Sequence, residues 1–198
     1  MLLSLVLFSR GSQNKTAAPA STAPMNHAQL GEKIHFSGLP NLGQINEHLY
    51  RGAQLDARGL LELKKLGVTT IVDLRAEDRT RAVWEKRRSE KLGLHFVNIP
   101  VGGWSVPTDG QVAQFLMIFR QNPQQTVFVH CRFGDDRTGV FVAAYRVAFD
   151  KFLSDEAVHE MYVFGFNGFW HPSMRAFVYS FPSRLESSPA LADFRNNP

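Results

Sequence analysis

A cysteine and an arginine with a spacing suited to phosphate chemistry lie in the middle of the chain. Cys131, the only cysteine, is separated by five residues from Arg137 in the segment His130-Cys-Arg-Phe-Gly-Asp-Asp-Arg-Thr-Gly139. The apolar run at residues 127–129 predicts a buried strand, and the apolar run at residues 140–149 predicts a buried helix. A loop that joins a strand to a helix N-terminus presents backbone N–H groups and the positive end of the helix dipole, so it binds anions.

The residue types in this segment favour nucleophilic attack on phosphorus. The thiolate is the reactive form of cysteine, and helix N-termini and nearby cations stabilise it, so Cys131 is predicted to react as the anion. Arg137 has a planar fork of donors that can hold two phosphate oxygens. Gly134 lets the backbone turn and approach the ligand closely. A single cysteine can also be a small core hydrophobe, but the strand, the loop and the helix together favour the nucleophile.

The other residues of the segment are predicted to support the loop or to contact the ligand. Thr138 is expected either to donate a hydroxyl hydrogen bond to the Cys131 sulfur or to cap the helix. His130 is expected to support the loop through its ring nitrogens. The predicted substrate-binding residues, besides Thr138 and His130, are Arg132, Phe133, Gly134, Asp135 and Trp104.

The segment resembles the His-Cys-x5-Arg-[Ser/Thr] signature of the cysteine-based protein tyrosine and dual-specificity phosphatases, and is most like their small bacterial members. Three further segments share the resemblance: Leu49-Tyr-Arg-Gly-Ala-Gln54, Leu66-Gly-Val-Thr-Thr-Ile-Val-Asp-Leu-Arg75 and Phe164-Gly-Phe-Asn167. The likeness covers about residues 46–181. It implies a phosphomonoesterase with a shallow cleft, dual specificity, a phosphocysteine intermediate, no metal and no cofactor.

The position of the general acid in this sequence differs from the usual pattern of the family that it resembles. In that family an aspartate in the loop at residues 100–107 usually protonates the leaving oxygen, but Gly103 or Trp104 stands there in this chain. The nearest acid is Asp109, at the start of a predicted helix. Some family members have an aspartate directly before the signature arginine, where this chain has Asp136. We therefore predict Asp136 as the general acid, with Asp109 as the second candidate and Asp135 as the third.

Several substrate classes remain open from the sequence. Two carboxylates at the mouth of the site repel a ligand with several phosphates, so an aromatic monoester between Phe133 and Trp104 is favoured. An inositol phosphate or phosphoinositide phosphatase would use the same chemistry, although such relatives tend to have lysines in this loop. A rhodanese-type sulfurtransferase is a further alternative, but its loop is one residue shorter. A non-catalytic phospho-binding module would not need Cys131.

Composition fits one globular domain and an anionic small ligand. The chain has 198 residues, of which 44% are hydrophobic and 20% charged. The net charge of +4 and the pI near 9.4 are modest, and the positive residues are spread out, so no nucleic-acid partner is predicted. A single cysteine excludes an internal disulfide. The expected partner is a phosphorylated protein or a small phosphomonoester, and the oligomeric state is not predicted.

The pattern of elements predicts an α/β fold. Strands are expected at residues 45–55, 68–74, 94–99 and 127–129. Helices are expected at residues 57–66, 77–91, 140–149, 155–164 and 172–181, and a further helix is expected to begin at residue 108. They are predicted to form a central, twisted, mostly parallel sheet of four or five strands with helices on both faces. The site is expected at the carboxyl end of the strand that ends at His130.

Two features of these elements allow more than one interpretation. The helix at residues 77–91 carries six cations against four acids, which is typical of a solvated face but also fits a docking surface for an acidic partner. His159 and His171 lack a ligand spacing with cysteine or an acid cluster, so no metal site is predicted.

The chain is predicted to divide into an apolar leader and linker at 1–33, a phosphatase domain at 34–182 and a loose tail at 183–198. The start favours a secretory signal and a periplasmic location, although no Lys or Arg precedes its apolar run. A disordered extension of a cytoplasmic protein is the alternative. The run of about eight apolar residues is too short to span a bilayer.

Overall fold

The computed structural model describes residues 29–195 of the chain. The predicted export signal lies outside these residues and stays a prediction. In the described part of the chain, no helix combines the length and the apolar character that crossing a bilayer requires.

Six strands form a single sheet in which the four longer strands are parallel. The strands are β1 (Glu32–Lys33), β2 (Gly43–Gln44), β3 (Leu49–Gly52), β4 (Thr70–Arg75), β5 (His95–Val101) and β6 (Val127–His130). Their order across the sheet is β1-β2-β3-β6-β4-β5, with β1, β2 and β3 antiparallel and the remaining pairs parallel. The strand that precedes Cys131 is therefore central, and its carboxyl end lies beside those of β3 and β4.

Within residues 29–195, six α-helices and one 3₁₀ helix surround this sheet. They are α1 (Ala57–Lys65), α2 (Arg79–Lys91), α3 (Asp109–Gln121), α4 (Asp136–Ala148), α5 (Ser154–Val163), α6 (Pro172–Ser187) and the 3₁₀ helix Pro189–Phe194. Local capping explains several starts. The Asp56 carboxylate accepts from the second and third amides of α1, and Thr108 and Gln111 form a reciprocal capping box on α3.

The sheet separates two hydrophobic clusters, one on each face. Ile71 and Phe128 pack with α1 and α2, whereas the neighbouring Val72, Val127 and Val129 pack with α3, α4, α5 and α6. This alternation follows from the two-residue period of a strand. Helix α4 is buried along nearly its whole length, as expected from the apolar run that begins at Val140. The predicted α/β fold with helices on both faces is confirmed.

The sheet has six strands rather than the predicted four or five. The additional strands β1 and β2 have two residues each, which is too short to give a recognisable alternation of polar and apolar residues. The helix predicted at 77–91 begins at Arg79, because the Asp78 side chain caps it by accepting from the Arg81 amide. Glu77 therefore lies outside the helix, with consequences for the site.

The predicted loose tail from residue 183 is wrong for the described residues. Helix α6 continues through Pro182 to Ser187, and the following 3₁₀ helix buries Leu191 and Phe194 in the main core. Pro182 has no N–H to bond the Val178 carbonyl four residues earlier, but the Ser154 hydroxyl donates to that carbonyl at 3.4 Å. This tertiary contact has no local signal, so the sequence alone did not place residues 183–187 in the helix.

If the C-terminal 3₁₀ helix is part of the core, Phe194→Ala should lower the free energy of unfolding by about 3–5 kcal/mol, as for other buried phenylalanines. The matched control is Phe169→Ala, because Phe169 is 83% exposed and its change should stay within about 0.5 kcal/mol. Urea unfolding followed by circular dichroism measures both. Equal effects for the two variants would contradict the placement of Phe194.

Candidate active site

The carbonyl oxygens of the loop between β6 and α4 accept hydrogen bonds from donors that, apart from the adjacent His130, come from other segments. His130 Nδ1 donates to the Cys131 carbonyl at 3.2 Å, and the Gln54 amide donates to the Arg132 carbonyl at 3.3 Å. Asn41 Nδ2 donates to the Phe133 carbonyl at 3.2 Å. Arg51 Nη2 donates to the carbonyls of Gly134 at 2.8 Å and Asp135 at 3.3 Å. In a planar trans peptide the N–H points opposite to the C=O. The amides of residues 132–135 therefore point to the inner side of the loop, which is the arrangement that binds an anion, whereas the Asp136 amide donates to Asp135 Oδ1.

Cys131 lies at the floor of this loop. Its side chain is 2% exposed, and its Sγ accepts a hydrogen bond from the Gly134 amide at 3.3 Å. Gly134 has a φ of +76°, and a Cβ there would lie 2.4 Å from the backbone of Gly52. Both the backbone conformation and the lack of space require glycine. The neighbouring strand β3 thus fixes the turn that brings an amide to the sulfur.

Arg137 is held in place by a carboxylate that the sequence did not single out. Its Nη1 donates to Glu77 Oε2 at 2.7 Å and to the Val101 carbonyl at 2.9 Å, and its Nη2 donates to Glu77 Oε1 at 2.9 Å. This bond to Arg137 lowers the pKa of Glu77 to about 2, so the clamp stays ionised at neutral pH. A guanidinium has five N–H groups, which leaves Nε–H and one N–H of Nη2 on a single edge for a phosphate.

Asp136 has both carboxylate oxygens engaged by the loop between α5 and α6. Oδ1 accepts from the Asn167 amide at 3.2 Å, and Oδ2 lies 3.2 Å from His171 Nε2. Burial raises the pKa of Asp136 above its usual value, and the nearby negative charge of Asp135 raises it further. The hydrogen bond from the Asn167 amide and the positive charges of His171 and Arg137 lower this pKa but do not cancel the increase. A raised pKa keeps the proton on a larger fraction of the carboxyl near neutral pH, which suits a general acid.

These side chains line one cleft of about 340 Å³. Its lining consists of Glu77, Gly103, Trp104, Cys131, Arg132, Phe133, Asp135, Asp136, Arg137 and His171. Trp104 and Phe133 form exposed parts of the rim, and the Trp104 ring packs against the His171 ring at 4.7 Å between centroids. Seven of the predicted site residues therefore meet in one place, although they come from two distant loops.

The remaining predicted residues lie outside this cleft. Asp109 is at the start of α3, where its carboxylate accepts from Arg184 Nη1 at 3.2 Å, so the geometry favours Asp136 over Asp109 as the acid. The Thr138 hydroxyl is buried without a hydrogen-bond partner, so it neither bonds the Cys131 sulfur nor caps the helix. Asp135 caps α4 instead, since its side chain accepts from the Asp136 amide.

Buried charges below the loop tie three elements together. His130 Nε2 lies 2.9 Å from Glu85 Oε1, and Arg75 donates to both Asp73 and Glu85. Burial acts to lower the pKa of His130, but the Glu85 carboxylate outweighs it and raises the pKa. Asp73, Glu85 and His130 have ligand atoms within 4.8 Å of one another, as a metal site would. The guanidinium of Arg75 already supplies the positive charge there.

The site depends on four residues whose contacts the sequence patterns did not predict. Glu77 was interpreted as part of a solvated helix, and His171 as a histidine without ligand spacing. Asn41 and Arg51 hold the loop from segments about ninety and eighty positions away. Arg51 lay within a segment of the resemblance, but its function became visible only when the sheet placed β3 beside β6.

A family model described as DSP-PTPase phosphatase fused to NAD+ kinase matches residues 38–173. The putative tyrosine-protein phosphatase OCA1 of Mycosarcoma maydis is 28% identical over 109 residues, which are 54% of this chain and 69% of OCA1. The dual specificity protein phosphatase TpbA of Pseudomonas aeruginosa is 32% identical over 133 residues, 64% of this chain and 55% of TpbA. The chain thus matches little more than half the length of TpbA.

The fold is also that of solved phosphatase structures. The crystal structure of a P. aeruginosa TpbA variant in complex with pTyr superposes with a TM-score of 0.66 and 21% identity, and covers 87% of this chain and 99% of that one. At this identity the likeness shows the shared fold.

If Glu77 fixes Arg137 for phosphate binding, Glu77→Ala should lower kcat/KM for p-nitrophenyl phosphate by about 10²-fold, a size typical of small misplacements at a reacting centre. Glu62→Ala is the control, because Glu62 makes an exposed pair with Lys65. Steady-state kinetics with purified variants measures the effect. Equal rates for wild type and Glu77→Ala would contradict the assigned function of Glu77.

Proposed function

Because the chain belongs to the DSP-PTPase family of phosphatases, we propose that it hydrolyses phosphate monoesters of proteins through a phosphocysteine at Cys131. The observation that carries this proposal is the convergence of three groups in one cleft. All three line this cleft, namely Cys131, Arg137 and Asp136, and Arg137 keeps two N–H groups that Glu77 and Val101 do not use. A nucleophile, an anion clamp and an acid are the set that phosphoryl transfer needs.

In the first proposed step the Cys131 thiolate attacks phosphorus and the bond from phosphorus to the leaving oxygen breaks. Asp136 donates its proton to that oxygen, so the alcohol or phenol leaves neutral. The inward amides of the loop and the two unused N–H groups of Arg137 hold the equatorial oxygens. Stabilisation of this charge is the larger part of catalysis in phosphoryl transfer.

In the second proposed step water attacks phosphorus and the sulfur leaves as the thiolate. The Asp136 carboxylate, which lost its proton in the first step, takes a proton from the attacking water. Inorganic phosphate is released and both side chains return to their starting states. His171 and the Asn167 amide keep the carboxyl oriented through both steps, so we assign His171 as a positioning residue.

The rim of the cleft supports an aromatic phosphoester as one substrate. Trp104 and Phe133 both line the cleft and are 71% and 61% exposed, and aromatic side chains bind a phenyl ring by stacking. The Asp135 and Asp136 carboxylates add negative charge to the cleft, which disfavours ligands with several phosphates. We therefore propose phosphotyrosine in proteins as a substrate, with phosphoserine and phosphothreonine admitted by the shallow cleft.

The direct test is phosphate release from p-nitrophenyl phosphate by the reduced protein in the presence of EDTA. Wild type should turn over and Cys131→Ser should be inactive while folded, as shown by circular dichroism. Transfer of sulfur from thiosulfate to cyanide without phosphate release would contradict the proposal and favour a sulfurtransferase. Binding of phosphotyrosine without turnover by wild type would favour a phospho-binding module.

The proposed acid gives a second prediction that depends on the leaving group. Asp136→Asn should lower kcat/KM for phenyl phosphate by about 10²–10⁴-fold, and much less for p-nitrophenyl phosphate, whose nitrophenolate leaves without a proton. Because the wild-type acid must be protonated, kcat/KM for phenyl phosphate should fall as pH rises through the raised pKa of Asp136. This alkaline fall should be absent in Asp136→Asn.

Asp109→Asn is the matched control and should leave both substrates and the pH profile unchanged. A loss of the alkaline fall in Asp109→Asn, with a normal profile in Asp136→Asn, would reverse the assignment.

A further inference from the structure

Helix α2 presents a face of unpaired cations to solvent. Arg79, Arg87, Arg88 and Lys91 are exposed, and within residues 29–195 none of their side chains has a hydrogen bond or an ion pair. The acids of the helix do not neutralise them, because Glu85 is buried with Arg75 and His130, and Glu90 lies 3.9 Å from Lys86. A solvated helix face usually mixes charges of both signs at positions three or four apart. The cations of this face make no such pairs among the described residues, so they are available to pair with the acidic groups of another molecule.

Three of these cations border a shallow groove with an apolar floor, which we call the α2 groove. It has a volume of about 460 Å³ and is lined by Thr80, Val83, Trp84, Arg87, Arg88 and Lys91. These positions recur every three or four residues, so they share one face of the helix. Val83 is 49% exposed, and the Arg81 guanidinium stacks over the Trp84 ring at 4.0 Å, which holds the indole in place beneath the groove.

The α2 groove begins beside the candidate active site. Glu77, which clamps Arg137 in the cleft, is two residues before the start of α2 at Arg79. The helix has 13 residues and is therefore about 20 Å long. An extended peptide of about six residues has the same length. A chain with its phosphorylated residue in the cleft can thus place its next several residues along the groove.

We propose that the α2 groove binds an acidic segment of the phosphoprotein substrate, several residues away from the phosphorylated side chain. Asp and Glu side chains complement Arg87, Arg88 and Lys91, and apolar side chains between them pack on Val83 and Trp84. This inference rests on the proposed phosphatase function and adds the class of substrate sequence. Complementary charge of this kind raises the association rate and selects partners.

Two phosphotyrosine peptides of equal length test the proposal. One has Asp and Glu at positions three to eight on both sides of the phosphotyrosine, and the other has Asn and Gln there. Wild type should show a kcat/KM about tenfold higher for the acidic peptide at low ionic strength, with the difference shrinking as salt screens the charges. Arg87→Glu/Arg88→Glu should abolish or reverse this preference, while turnover of p-nitrophenyl phosphate stays at the wild-type value.

The matched control is Arg58→Glu/Arg120→Glu, which changes the net charge equally at exposed positions on α1 and α3. It should keep the preference for the acidic peptide. Equal kcat/KM for the two peptides in wild type would overturn the proposal, as would an equal loss in the control. So would charge-dependent binding of phosphatidylserine vesicles through Arg87 and Arg88 without any peptide preference. Absence of p-nitrophenyl phosphate turnover in wild type would instead contradict the phosphatase function itself.

Discussion

The outward hydrogen bonding of the carbonyls at residues 131–135 is the constraint on which the site depends. Once these oxygens are held from outside, planarity turns the following amides inward, and one of them reaches the Cys131 sulfur. The donors come from elements that are remote in sequence, notably Asn41 and Arg51. Arg51 lies on β3, and Asn41 lies in the connection between β1 and β2, so this side of the sheet supplies donors that hold the loop.

A buried cation, Arg51, helps to hold this loop in its conformation. Arg51 is fully buried, and burial lowers its pKa to about 10, so it remains a cation at neutral pH. Two of its nitrogens have no hydrogen-bond partner, but the Phe164 ring lies 4.2 Å from its guanidinium carbon. Removing an ion from water costs several kcal/mol. A charge retained under such a penalty is best explained by the conformation that it imposes on the loop.

Local sequence patterns were enough to predict most of the fold and the loop that carries Cys131. They did not predict the residues that surround this loop in the cleft. The apolar runs around Cys131 are local patterns that the sequence shows directly, and the Asp56 cap and the Thr108 capping box likewise act within a few residues. Glu77 and His171 contact residues that are distant in sequence, Arg137 and Asp136. Their positions depend on where α2 begins and how the loop before α6 folds. The buried C-terminal 3₁₀ helix was missed for the same reason, since its contacts lie in distant elements.

The central claim is that phosphorus becomes bonded to the Cys131 sulfur during turnover, and acid quenching during the reaction tests it most directly. Asp136→Asn, mixed with excess p-nitrophenyl phosphate and quenched within the first turnovers, should accumulate a phosphorylated protein because the base for the second step is missing. Mass spectrometry of peptides should place one phosphoryl group on Cys131. Turnover without any phosphorylated peptide, or with the phosphoryl group on another residue, would contradict the account.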